Sequence, residues 1–445
     1  MTAEAFKDQE SFWDEDFLRR YDVRGPRYTS YPGAQVFNVG YGAAEHESFL
    51  QSARNSIDPV SLYVHIPFCE NICYYCACNK IVTRDHSKAE EYLHYLYKEA
   101  SMIADRIGKH RPVTSLHFGG GTPTILSGPQ STDLLNVIRD TLPMADEADL
   151  SVEIDPTEFD QERADALLAA GLTRASIGIQ DFAPEVQAAI GRMQSFETTQ
   201  AAFTMLRAGG IKSVNADVVY GLPLQTPDSF RRTIGQLLWL RPDRIALFGY
   251  AHVPHMSRRQ RVIDGATLPD GDMRVDLFED ADAALRARGY VPIGFDHYAL
   301  PEDSMAHAAE EGRLRRNFQG YTDDASDVLI GLGASSISRL PQGYSQNASA
   351  TSAYLGRVEG GDLAAARGLE FTRQDIWRGY AIERLMCDFA IDFDAPQIRA
   401  HATEAEIASA LAAFEAFGAN TIKVEGAKVT VAEMFRGFVR HFAGI

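Results

Sequence analysis

The sequence lacks any apolar run approaching the roughly 20 residues that cross a bilayer. Its first residues, MTAEAFKDQESFWDEDF, are acidic where a secretory leader would be basic and then apolar. A cytoplasmic location with no membrane partner is therefore expected. Positive charge is scarce: 43 Lys and Arg face 61 Asp and Glu, a formal net charge of -18. Such a chain repels nucleic acid and anionic lipid, so no nucleic-acid partner is expected, and an anionic substrate has to meet locally clustered arginines. Cysteine is scarce too, with five in 445 residues, and four of these fall between positions 69 and 78. That clustering suits a metal site better than a disulfide framework.

What is present is an ordinary globular composition, 45% hydrophobic and 23% charged, enough for one large core and a smaller second domain. Strand-like runs recur at 61–66, 114–118, 150–154, 174–180, 213–219 and 244–250, with helix-like stretches between most of them. Six strand-then-helix units predict an α/β fold, a parallel sheet curled into a partial (β/α)6 barrel over residues 51–300. Residues 1–50 read as an N-terminal arm or lid and 301–364 as a loop-rich extension. Residues 365–445 read as a C-terminal helical domain with a strand pair around Glu425 and Gly426. A winged-helix-like unit and a plain helical cap both fit that last stretch.

Alternation within the strands says more. Tyr63, His65, Ser115, His117, Glu153, Ser176, Gln180, Asn215 and Asp217 share one parity, opposite Leu62, Val64, Leu116, Val152, Ile154, Ile177, Val214 and Val218. Strands of a parallel sheet covered on both faces read as continuous apolar runs. A polar face on five strands therefore predicts a lumen that holds a polar ligand, the alternative at any one position being a buried polar pair. Most of the polar candidates fall near the C-terminal ends of their strands, where barrel enzymes place their chemistry.

CENICYYCAC sets Cys69, Cys73 and Cys76 in a C-x3-C-x2-C loop after the first strand, with Cys78 two positions on. Three thiolates at this spacing fit a [4Fe-4S] cluster whose fourth iron is open to the amino and carboxylate groups of S-adenosylmethionine (SAM). A zinc site with Cys78 as fourth ligand is the structural alternative. Cys387, in AIERLMCDFAI, reads as a small buried thiol. HFGGGTPT brings Gly119, Gly120 and Gly121 after the second strand, suited to close backbone approach to a ligand, with Thr122 as a cap for the next turn. It lacks the lysine of a phosphate loop. Arg192 in IGRMQ is placed to fork onto a carboxylate.

These residues resemble the radical SAM superfamily, and in particular the oxygen-independent coproporphyrinogen III dehydrogenases. The resemblance runs through RYTSYP, LYVHIPFCENICYYCACNKIVTR, HFGGGTPT, VEIDP, GIQDF, NADVVYGLP, NFQGYT, IGLGASSIS and YSQN. It implies SAM contacts at Tyr63, Tyr75, Gly120, Gly121, Thr122, Glu153, Gln180, Arg192, Asp217, Ala251 and Ile337, some of them for a second SAM beside the first. It also implies that Cys78 matters for activity without ligating the cluster, alongside Tyr63, Glu153 and Arg192. The implied reaction turns two propionates of coproporphyrinogen III into vinyl groups, with SAM as oxidant through a 5′-deoxyadenosyl radical. The implied partners are that substrate and a flavodoxin- or ferredoxin-like electron donor, and the implied state is a monomer. Arg24, Arg27, Arg313, Arg315 and Arg316 are the candidate cations for the propionates. A haem carrier or a haem-degrading methyltransferase on the same scaffold are the competing readings.

Overall fold

The computed structural model describes residues 30–433 and 436. Twelve strands form its main sheet, in chain order β1 Val60–Ile66, β2 Val113–Gly120, β3 Met144–Ile154, β4 Arg174–Gln180, β5 Ser213–Tyr220, β6 Arg244–Gly249, β7 Val291–Ile293, β8 His297–Ala299, β9 Leu329–Leu332, β10 Ile337–Leu340, β11 Gly343–Asn347 and β12 Ala365–Glu370. Their order across the sheet is β12-β11-β10-β9-β1-β2-β3-β4-β5-β6-β8-β7. From β1 to β6 neighbouring strands run parallel, and the helices Ser87–Ile107, Gly128–Thr141, Gln161–Ala169, Phe196–Ala208 and Pro227–Leu240 cross between them. Ser127, Asp160, Ser195 and Thr226 each accept an amide N–H from the first turn of the adjoining helix, which fixes where it starts. This is the six-unit partial barrel that the strand spacing predicts.

The stretch read as loop-rich is richer in strand than its composition suggests. β9 pairs parallel with β1 and adds a seventh parallel strand on the far side of the cysteine loop's own strand. β10 and β11 extend the sheet antiparallel, and β12, assigned to the C-terminal unit from sequence, is its edge. These strands are only four to six residues long, too short for periodicity to reveal. One buried carboxylate holds the turn between β9 and β10: Glu99 accepts from the Gly333 amide (2.7 Å), the Asn347 side chain (2.6 Å) and the Tyr354 hydroxyl (2.7 Å).

In the arm, the helix Ala43–Ala53 buries Phe49, Leu50 and Ala53 in the main core. The lid expectation, with Arg24 and Arg27, otherwise lies outside the described residues. After β12 the chain runs helix Arg373–Asp388, strand Ala390–Asp392, helices Pro396–Arg399 and Glu404–Glu415, and strands Ile422–Glu425 and Lys428–Val431. That is the winged-helix order, around a separate core of Trp377, Leu385, Phe393, Ile407 and Phe414. No described helix is long and apolar enough to cross a membrane.

Candidate active site

Strand parity decides what faces the lumen. Leu62, Val64, Leu116, Val152, Ile154, Ile177, Val214 and Val218 are buried in the core. Tyr63, Ser115, His117, Glu153, Ser176, Asn215 and Asp217 keep partial exposure on the other face. The register lines them up: Tyr63 pairs with His117, His117 with Ser151, Glu153 with Ser176, and Ser176 with Asn215. The Tyr63 and His117 rings stack at 5.9 Å. His117 meets Ser151 Oγ through Nδ1 (2.6 Å) and Glu153 Oε1 through Nε2 (3.4 Å), and Glu153 Oε2 accepts the Gly120 amide (3.1 Å). Farther round, Asp217 accepts from Ser176 (3.1 Å) and Asn215 (2.7 Å). Burial, reinforced by the negative charge of Glu153, raises the Asp217 carboxyl to about 6. At the strands' other end the lumen is closed by ion pairs: Arg174 with Asp149 and Asp323, and Arg244 with Asp303 (2.7 Å).

The cysteine loop leaves the C-terminal end of β1. Thr122 Oγ1 donates to Cys69 Sγ (3.4 Å), Arg192 Nη1 to Cys73 Sγ (3.7 Å) and the Cys78 amide to Cys76 Sγ (3.4 Å). Each sulfur of the triad thus has a donor, as thiolates require. Burial pushes the Cys69 thiol up to about 11. Contact with Cys78 draws Cys76 the other way, with help from Lys80. Burial works against the charge of Lys80, but the three cysteines outweigh it and raise its pKa. Among the described residues no three His, Cys, Asp or Glu side chains converge as they would around one metal ion. Arg192 Nε, buried beside the loop without a partner, is a donor left over for a bound group. The residues present fit a [4Fe-4S] cluster.

Beside the close approach to a ligand that the glycine run suggests, the packing gives it a second reason: a Cβ on Gly121 would stand 2.5 Å from the Phe68 carbonyl and 3.0 Å from Cys69 Sγ, and one on Gly119 2.9 Å from Glu153. The glycines let this turn press against the cysteine loop. Thr122 makes no side-chain cap; its hydroxyl is spent on Cys69. The candidate propionate cations also fare differently. Arg313 pairs with Glu311, and Arg315 with Asp327 (2.9 Å) and Glu383 (3.2 Å). Arg315 also bonds the Ala325 carbonyl (3.2 Å), in the segment that meets Ser61 and Thr114 at the strands' beginnings, away from the cysteine loop. Arg316 is buried against the Phe295 and Tyr321 rings.

Of the remaining candidates, Gln180 ends β4 in the left-handed region with φ 67°, Ile337 opens β10, and Ala251 lies just past β6. Tyr75 and Ala251, far apart in sequence, are joined by Gln260, whose amide donates to both carbonyls (2.9 and 3.2 Å). Tyr74 and Tyr75 pack against the apolar group of Val186, Ile190 and Val219, and Cys387 is buried. Sequence reasoning missed Asp155, which holds Arg192 at 2.9 Å, as well as Lys80 and Gln260. Asp155 stands in VEIDP beside Glu153 and was within reach of the motif; nothing local marks Gln260.

A family model described as the Radical SAM superfamily matches residues 63–237. The oxygen-independent coproporphyrinogen III oxidase of Paracoccus denitrificans is 47% identical over 389 residues, 87% of this chain and 86% of that one. That of Pseudomonas aeruginosa is 44% identical over 86% of this chain and 84% of its own. The solved coproporphyrinogen III oxidase of Escherichia coli, described as a radical SAM enzyme, superposes with a TM-score of 0.90 at 37% identity, over 97% of this chain and 98% of its own. With the cysteine triad, the polar lumen and the C-terminal unit all in place, the chain belongs to the oxygen-independent coproporphyrinogen III oxidases of the radical SAM superfamily.

Proposed function

We infer that the chain catalyses oxidative decarboxylation of two propionate side chains of coproporphyrinogen III to vinyl groups, giving protoporphyrinogen IX, with SAM as oxidant. One observation carries this reading: the likeness to coproporphyrinogen III oxidases spans both the barrel and the C-terminal unit. A radical SAM domain alone would leave the substrate open.

Cys69, Cys73 and Cys76 hold the [4Fe-4S] cluster, which with SAM supplies the one-electron chemistry. The chain's own residues bind and orient. Arg192, fixed by Asp155 and by the Gly178 carbonyl (2.9 Å), presents its guanidinium at the cluster loop and to a SAM carboxylate. Glu153, held by the Gly120 amide, accepts from an ammonium or a ribose hydroxyl, and Asp217 does the same across the lumen. Tyr63 and His117 give this site a flat aromatic wall. Gly120, Gly121 and Thr122 seal the turn against the cysteine loop and exclude water. Contacts at Tyr63, Tyr75, Gln180, Ala251 and Ile337 complete two adjacent SAM sites. Cys78, exposed and outside the ligand set, offers its thiol to the substrate. A flavodoxin- or ferredoxin-like donor reduces the cluster, and the enzyme works in the cytoplasm as a monomer.

The test is an anaerobic assay of iron-reconstituted protein with coproporphyrinogen III, SAM, a strong reductant and an electron acceptor, with products separated by chromatography. Protoporphyrinogen with matching 5′-deoxyadenosine is expected. 5′-Deoxyadenosine without decarboxylation would move the substrate elsewhere. Stoichiometric haem binding with neither product would make the chain a haem carrier.

A further inference from the structure

Arg258, Arg259 and Arg261 crowd one short 3-10 turn, Arg258–Val262, in a chain of net charge -18. Their hydrogen bonds go to backbone carbonyls: Arg259 Nη2 to Lys80 (3.0 Å) and Arg261 Nε to Pro254 (3.1 Å). Among the described residues none of the three pairs with a carboxylate, in contrast to Arg313 and Arg315. The turn itself is fixed. Gln260, 2% exposed, points inward, donates to Tyr75 and Ala251, and accepts the Val253 amide (2.6 Å). With Gln260 inward, Arg258 and Arg261 are left exposed on the outer side. The turn comes after β6, at the C-terminal end of the barrel. Lys80, which Arg259 touches, is two residues beyond the exposed Cys78. Two apolar side chains flank the arginines in the open, Met256 at 78% and Val262 at 63% exposure.

We propose that this turn is the receiving edge for the propionates of the tetrapyrrole substrate, with Arg258, Arg259 and Arg261 as its cations and Met256 and Val262 as apolar contacts for the macrocycle. The inference rests on the substrate reading above and names where that substrate is met. A tetracarboxylate approaching an acidic protein needs a local excess of cations, and guanidinium binds carboxylate in a bidentate fork. Exposed apolar groups beside cations match an amphiphile with an apolar ring and a charged edge. A small inorganic anion would have no use for Met256 or Val262. The buried Gln260 clamps this edge to the cysteine loop, so a propionate held here lies on the side of the loop that carries Cys78. An acidic protein donor would be drawn to the same cations, and the experiment separates the two.

The full-length reconstituted enzyme is assayed anaerobically with a small chemical reductant, so that no protein donor is present. In Arg258→Gln/Arg259→Gln/Arg261→Gln the KM for coproporphyrinogen III should rise at least about tenfold, the loss of about one charge-assisted hydrogen bond, with kcat, iron content and SAM affinity held. Wild-type KM should rise with salt and the variant's should be nearly flat. The double variant Arg258→Gln/Arg261→Gln, confined to exposed side chains, should move the same way with the Lys80 contact intact. Arg288→Gln, an exposed arginine at the far end of the helix Gly271–Ala287, should change nothing. An unchanged KM overturns the proposal. So does a defect that appears only when a flavodoxin-like protein replaces the chemical reductant, which would make the turn a donor-docking face. If the wild type does not turn over coproporphyrinogen III at all, the substrate reading falls and this inference with it.

Discussion

Arg192 and Cys73 stand 119 positions apart in sequence, yet the guanidinium Nη1 lies 3.7 Å from the sulfur while the same nitrogen holds Asp155 at 2.9 Å. Burial opposes the charge on Arg192, but Asp155, Tyr75 and Cys73 together outweigh it and raise its pKa. A permanent cation is thereby fixed against a sulfur of the cysteine triad. Replacing it with glutamine removes positive charge from beside a thiolate, which makes the cluster harder to reduce. In Arg192→Gln the cluster's midpoint potential should move to more negative values in a redox titration, with activity down at least about tenfold. Arg192→Lys should restore much of the potential but little of the activity, because an ammonium cannot serve Asp155, Gly178 and Cys73 together. A glutamine variant of unchanged potential would reduce Arg192 to a brace for Asp155.

Gly121 has no room for a methyl group. The atom a Cβ would strike, the Phe68 carbonyl oxygen, already accepts the Thr122 amide at 2.8 Å, so it cannot retreat without carrying Cys69 with it. Gly121→Ala should cost about 1–3 kcal/mol in overpacking and lower iron content on reconstitution, while far-UV circular dichroism stays native. Full iron loading would mean that the cysteine loop tolerates the displacement.

Cys76 and Cys78 are two residues apart, and the proposed function gives them different roles. Cys76→Ser should abolish cluster loading. Cys78→Ser should retain iron and the visible absorbance of the cluster yet lose turnover by about tenfold or more, with SAM still bound. Loss of metal from Cys78→Ser would restore it as a ligand.

The pH dependence of stability should carry the mark of Asp217. Its folded value of about 6 lies above its ordinary 3.8, so the folded state binds this proton more tightly than the unfolded chain does. The favourable contribution is complete below the ordinary value and is lost as pH rises through about 6. Asp217→Asn is neutral throughout, so its melting temperature should gain on wild type by about 1–3 °C between acidic and mildly alkaline buffer. A constant difference across that range would mean that Asp217 is ionised without penalty.

The cysteine triad, the strand spacing and the period-two polar face were legible in the sequence because each is local. Ligand spacing is set within one loop, and alternation is set by the pleat of one strand. Local signals also sufficed for the strand pair of the C-terminal unit, where Ile422–Glu425 ends at Glu425 and Gly426 opens the turn into Lys428–Val431. Partnership across the barrel was not legible. That Gly121 answers to Phe68, Thr122 to Cys69, Gln260 to Tyr75 and Glu99 to Gly333 depends on which strand ends meet. So does the fate of Arg315, which sequence offers as a free cation and the fold spends on Asp327 and Glu383. The cysteine loop, the succession of strands with their polar positions and the acidic balance follow from the chain alone, since spacing, periodicity and charge are properties of it. Which donors reach the sulfurs, which glycines are forced and which arginines are paired among the described residues follow from the fold, because those are contacts between segments that strand pairing alone brings within a few ångströms.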